Sequence, residues 1–185
     1  MTTKDDLRRT TLARRSARST AEIRSAGSAI AGRASAFAVR AHRVAAFLST
    51  PTEPPTRQLL AALLNAGCEV IVPVVAGARM DWTPYTVGVR VHTTELGIDE
   101  PVGERLGKGA LGDADVVLVP ALLVDHDGNR LGRGRGYYDR ALADVTARTF
   151  AVVFDDELVD RVPTEAHDRR VSGVLRPAGL LEFPP

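Results

Sequence analysis

Apolar positions along this chain follow two rhythms. The runs "RVAAFLS" (43–49), "CEVIVPVV" (68–75), "DVVLVPALLVD" (115–125) and "RTFAVVFDD" (148–156) show little alternation. Runs of that length predict strands covered on both faces. Between them the spacing is helical. Residues 4–17, rich in Arg and Leu, read as one helix, and "STAEIRSAGSAIAGRASAF" (19–37) starts a second. There Ser19 and Glu22 have capping-box spacing, and Ile23, Ile30 and Phe37 recur every seven residues along one face. "TRQLLAALLNAG" (56–67) predicts a helix with Thr56 as its cap and Gly67 at its end, and "YDRALADVTA" (138–147) predicts another. "RMDWTPYTV" (79–87) alternates as an edge strand or hairpin, and 93–114 reads as a long loop. "DELVDRVPTEAHD" (156–168) predicts a short helix running into a loop, and "RRVSGVLRP" (169–177) a last short strand.

Strands alternating with helices imply right-handed crossovers and a mainly parallel sheet with helices on both faces. The expected fold is therefore α/β, three layers deep, a single domain over residues 1–185 with basic N-terminal helices (1–43) packed on it. Ligands of such folds gather at the carboxyl ends of the strands. Three loops fall there: Ser49–Thr56, Asp125–Gly136 and Asp155–Asp156.

Charge refines this picture. The net charge of +1 gives no reason to expect a nucleic-acid binder. Residues 1–43 nonetheless hold ten basic and three acidic residues, while the remainder holds 14 basic and 20 acidic, so a basic helical region sits on a mildly acidic body. The lone Cys68 precludes an internal disulfide and fits a reducing compartment. No apolar run approaches the roughly 20 residues of a membrane helix, and the N-terminus lacks a hydrophobic core of the secretory kind. A cytoplasmic protein without membrane partners is expected.

One stretch remains outside the packing logic: "NRLGRGRGYYDRAL" (129–142). Arg130, Arg133 and Arg135 surround Gly132, Gly134 and Gly136 where a strand passes into a helix. Such a turn lets backbone N–H groups approach an anion, and guanidinium forks match phosphate oxygens. Three arginines so close repel one another unless a polyanion relieves them. Asp139, three residues past Gly136, suits a divalent metal carried by that polyanion. The spacing is neither a Walker loop nor a dinucleotide fingerprint.

"VLVPALLVDHDGNRLGRGRGYYDRAL" closely resembles the signature of the 5-formyltetrahydrofolate cyclo-ligase family. The likeness extends in order along the chain, through "KDDLRRTTLARR", "AFLSTPTEPPT", "CEVIVPVVAGARMDWTPY", "LGIDEP" and "VPTEAHD". It implies a Rossmann-like fold of the NagB/RpiA/CoA-transferase kind and an enzyme that uses ATP and Mg²⁺ to cyclise 5-formyltetrahydrofolate to 5,10-methenyltetrahydrofolate. By position, Lys4 and Arg8 would reach the nucleotide. Arg130, Leu131, Gly132, Arg133, Gly134, Arg135, Gly136, Tyr137 and Tyr138 would form the phosphate loop. Arg133, Arg135 and Tyr138 would lie nearest the chemistry, and Asp139 and Asp168 would hold the metal. Glu53 would take the pterin's hydrogen-bond donors, with Leu48, Met80, Trp82 and Tyr138 around the ring. A monomer with small-molecule partners is expected. This chain differs from the family's pattern at Pro54–Pro55, Glu69 and Asp155–Asp156. Two other readings use the same residues: a non-catalytic folate- or RNA-binding relative, and a different phosphotransferase.

Overall fold

Seven strands form the main sheet of the computed structural model, which describes residues 3–77, 79–94, 99–165 and 168–184. In chain order they are β1 (Arg43–Ala45), β2 (Glu69–Ala76), β3 (Arg79–Pro84), β6 (Val116–Pro120), β9 (Arg148–Val152), β11 (Gly173–Arg176) and β12 (Gly179–Glu182). Their spatial order is β12-β11-β9-β6-β1-β2-β3. The five inner strands run parallel, and β3 and β12 close the two edges antiparallel. A hairpin of β4 (Val91–Thr93) and β5 (Asp99–Pro101) stands apart, as does a small sheet of β7 (Leu123–Asp125), β8 (Arg130–Leu131) and β10 (Leu158–Val159).

The inner strands are continuous apolar runs because each face meets its own layer. Val44, Val116, Leu118, Phe150 and Val152 pack with α2 (Thr20–Ala31), α3 (Ser35–Ala38) and α4 (Arg57–Asn65). Their neighbours Ala45, Val117, Val119, Ala151 and Val153 point the other way, toward a 3-10 turn at Lys108–Asp113 and α5 (Tyr137–Ala141). Leu59, Leu60 and Leu63 of α4 are fully buried, each contributing about 1.5–3 kcal/mol. The three-layer α/β expectation holds.

Several elements differ from the pattern reading. The run 115–125 is two strands in different sheets, because the chain bends after Pro120 and Leu122 donates instead to the Leu131 carbonyl. The arginine loop therefore follows a hairpin, and Arg130 and Leu131 belong to its second strand. The expected helix over 138–147 is only Tyr137–Ala141, and the expected helix at 156 is a 3-10 turn, Asp155–Glu157. Within 93–114, β5 and a 3-10 turn replace part of the long loop, and residues 95–98, which include the first three of the "LGIDEP" turn, lie outside the described residues. The last strand is β12, whose half-exposed Leu180 and Leu181 give little two-residue contrast. Ser19 and Glu22 do form the capping box. Thr56 holds the N-cap position of α4, yet its hydroxyl donates to the Phe47 carbonyl and fixes the loop instead. Pro55 of the same loop lies against Gly27 of α2, so close that a Cβ there would sit 2.9 Å from the proline.

Helix α1 (Lys4–Ser16) straps across the strand ends. Buried Arg15 donates to both oxygens of buried Glu157 at 2.7 Å and to the Ala121 carbonyl at 2.6 Å. Arg14 and Arg18 pair with Asp156, and Arg18 also stacks 4.1 Å from the centre of the Phe154 ring. Asp155 accepts from the Ala178 N–H. Asp155 and Asp156 thus face structural partners.

Removing one member of a buried ion pair leaves the other charge uncompensated. Glu157→Leu is expected to lower unfolding free energy by about 3–5 kcal/mol in chemical denaturation. The double change Arg15→Met with Glu157→Leu is expected to lower it less than either single change.

Candidate active site

A cleft of 560 Å³ opens at the carboxyl ends of β1 and β6, between α1, the arginine loop and the Ser49–Thr56 loop. Pro120, Ala121 and Leu122 line it at the bend that ends β6. One wall is cationic. Lys4 and Arg8, one helical turn apart on α1, reach it beside Arg130, Arg133 and Arg135. Arg8 donates to the Gly132 carbonyl at 3.0 Å, and its guanidinium lies against the backbone at Gly134. A Cβ there would meet that group at 3.3 Å, and Gly134 also has φ of +91°. Gly136, at φ +64°, turns the chain into α5. Because α5 is a single turn, the arginines and the loop, more than a helix dipole, give this wall its positive character.

The opposite wall is largely apolar and carries the Glu53 carboxylate. Phe47, Leu48, Pro73 and Met80 line it, and Glu53 projects into it while accepting from the Thr50 N–H at 2.8 Å. Tyr138 lies between the walls. Burial raises the pKa of its hydroxyl well above the usual range; the Glu53 carboxylate adds to this and Arg130 opposes it. The phenol stays protonated at neutral pH, as a neutral donor. Tyr137 donates to the Gly77 carbonyl at 3.3 Å, tying α5 to the β2–β3 turn.

Carboxylates stand against most of these cations. Arg130 pairs with Asp139, and Lys4 with Asp168 at 2.8 Å and Glu165 at 3.0 Å. Arg8 meets Asp5 at 2.6 Å, and Arg133 meets Glu53 at 3.4 Å. Among the described residues no acidic partner of Arg135 is found. The expected bare repulsion among the arginines is thus offset from within. For Lys4, burial works to lower the ammonium pKa, but the hydrogen bonds it donates to Asp168 and Glu165 outweigh it and hold the pKa above 10.5.

Lys4, Arg8, Leu48, Glu53, Met80 and residues 130–139 with Asp168 all line this one cleft. Trp82 does not. Strand β3 turns it toward the layer where the Lys108–Asp113 turn packs, and it is 1% exposed among Ala110, Leu111 and their neighbours. Pattern alone gave Met80 and Trp82 the same face, but not which side of Met80 opened. The sequence reading also missed Glu100, a buried lining residue whose carboxylate accepts from the Val75 N–H at 2.7 Å. Its only signal was the "LGIDEP" segment. Asp125 was missed as well: it accepts from the Asp127, Asn129 and Val162 N–H groups and from the Asn129 amide, which fixes the hairpin under the arginine loop.

Among the described residues no group of three or more metal-ligating side chains forms a cage. Asp139 and Asp168 are among the carboxylates that line the cleft, each already bound to a cation. Such a donor set fits magnesium held mostly by a polyphosphate and by one or two carboxylates.

The profile of the 5-formyltetrahydrofolate cyclo-ligase family matches residues 1–177. A 5-formyltetrahydrofolate cyclo-ligase of Mycolicibacterium smegmatis is 42% identical over 157 residues, covering 80% of each chain. The Escherichia coli protein of that name is 30% identical over 151 residues, covering 78% of this chain and 83% of its own. The solution structure of Aquifex aeolicus 5,10-methenyltetrahydrofolate synthetase superposes with a TM-score of 0.82 at 26% identity, over 98% of this chain and 93% of that one. Fold and relatives together make this an enzyme of the ligase class. The chain belongs to the 5-formyltetrahydrofolate cyclo-ligase family.

Lys4 supplies a pH-dependent test. Its raised pKa contributes stability that is fully present below 10.5 and is lost as pH rises through the folded value. Thermal melts from pH 9 to 11.5 should show a steeper alkaline decline for the unaltered protein than for Lys4→Met. Parallel declines would contradict the pairing.

Proposed function

We propose that this chain cyclises 5-formyltetrahydrofolate to 5,10-methenyltetrahydrofolate at the expense of ATP, releasing ADP and phosphate. The observation that carries the reading is the two-walled cleft: five cationic side chains on one side, Leu48, Met80 and Glu53 on the other. A triphosphate suits the first wall and a flat heterocycle with N–H donors suits the second. The formyl oxygen would attack the γ-phosphorus, with ADP leaving. N10 would then close on the activated carbon, losing its proton, as phosphate departs. Such a transfer needs positioning and compensation of charge more than covalent help.

Each residue's part follows from its place. Lys4 and Arg8 hold the polyphosphate from α1, and Arg130 to Gly136 cradle it from the loop. Arg133 and Arg135 face the transferred group, and the protonated Tyr138 donates to an oxygen between the walls. Glu53 accepts from the pterin. Magnesium, held beside the phosphate oxygens by Asp139 and Asp168, would supply further charge neutralisation. Trp82, in the core, would support Met80 from behind instead of touching the ring.

No helix among the described residues is long and apolar enough to cross a membrane. Among the described residues the exposed large apolar ones, Val39, Val87 and Val102, are few. Both are in keeping with a cytoplasmic monomer, and the buried thiol of Cys68 suits a reducing compartment.

With MgATP the protein should convert 5-formyltetrahydrofolate to a product absorbing at longer wavelength, releasing phosphate. Absence of turnover across wide ranges of enzyme and substrate would overturn the proposal. Arg135→Ala should lower kcat by about 10²–10³. Glu53→Ala, assayed at saturating ATP, should raise the folate KM by about tenfold or more, the scale of one hydrogen bond to a charged group.

A further inference from the structure

Arg133 joins the two walls. Arg133 Nε lies 3.4 Å from Glu53 Oε1, and the same guanidinium donates to Thr50 Oγ1 at 3.0 Å and contacts Thr52 Oγ1 at 3.4 Å. The Glu53 side chain is 8% exposed and that of Arg133 45%. A carboxylate so buried needs partners, and among the described residues it has one hydrogen-bond donor, the Thr50 N–H, and one cation, Arg133. Both residues line the cleft, each on the wall read as holding a different substrate.

We infer that the Arg133–Glu53 pair is a latch across the cleft that couples the two substrates, so that each binds more tightly once the other is present. This rests on the proposed function. A polyphosphate on the loop attracts Arg133 and frees Glu53. A heterocycle's N–H donors satisfy Glu53 and release Arg133 toward the phosphate. Breaking the pair opposes whichever ligand arrives first, and the second meets no such opposition. Linkage makes the effect reciprocal. Thr50 and Thr52 add to the latch, because they hold Arg133 to the same loop that carries Glu53. Arg135, two residues on, has no contact with that loop among the described residues. It serves as the neighbouring cation that lacks the latch.

The test measures 5-formyltetrahydrofolate binding by calorimetry, without and with a saturating non-hydrolysable ATP analogue and Mg²⁺. In the unaltered protein the analogue should tighten folate binding on the order of fivefold or more. In Arg133→Met the effect should fall below about twofold, and folate alone should bind at least as tightly as it does to the unaltered protein. In Arg135→Met, saturated with analogue, the coupling should persist. Circular dichroism melts of both variants verify folding at these exposed positions. Independent binding of the two ligands to the unaltered protein would overturn the inference while leaving the proposed function standing. Coupling undiminished in Arg133→Met, or lost equally in Arg135→Met, would also overturn it. If neither ligand bound, the proposed function itself would fall, and the latch with it.

Discussion

A cleft lined with clustered cations has to fold before any anion arrives, and this constraint shapes the whole site. Guanidinium and ammonium groups facing one another would repel, and in a half-buried cleft water screens them poorly. The chain resolves this with its own carboxylates. Asp139 stands against Arg130, Asp168 and Glu165 against Lys4, Asp5 against Arg8, and Glu53 against Arg133. The two aspartates proposed to hold magnesium are therefore also counter-charges of the ligand-free cleft. One set of acids would serve both states, and a bound polyanion would rearrange existing pairs instead of meeting bare charge.

The arrangement works only if α1 stays where it is. Its first turns bring Lys4 and Arg8 to the cleft, and its later turns are held by Arg15 on Glu157 and Ala121 and by Arg14 and Arg18 on Asp156. The surplus of arginine in the first 43 residues thus has two uses along one helix. The acidic triplet Asp155–Glu157 takes no part in lining the cleft, yet it holds the helix that does. A similar indirect support acts on Glu53: Pro55 rests on Gly27, and Thr56 ties the loop back to Phe47. The two prolines that depart from the family's pattern are thus packed into the fold.

Much of this was legible in the chain. Inner strands showed themselves because burial on both faces leaves few polar positions, and the Ser19–Glu22 box marked its helix by a local rule. The arginine loop stood out because its charge had no packing explanation. What stayed hidden depended on distant partners. Pro120 bends a run that looks continuous, and only the pairing of β7 with β8 and β10 shows where the second half goes. Thr56 has a cap's identity, but a carbonyl nine residues back competes for its hydroxyl. Trp82 and Met80 share a strand face, and only the packing of the Lys108–Asp113 turn decides which one meets the cleft. Glu157 looked like one acid in a helical stretch until Arg15, 142 residues away, gave it a partner.

That distance has a temporal side. The bond from Lys4 to Asp168 spans 164 residues, nearly the whole chain. A ribosome delivers α1 before its anchors. This helix, basic and only modestly apolar, can meet Ala121 and Gly132 before β9 is made, but Glu157 and Asp168 only once the segments after β9 have emerged. Long-range closures of this kind form late. The cationic wall of the cleft is thus completed only after β9 has emerged, and a helix made early is fastened late.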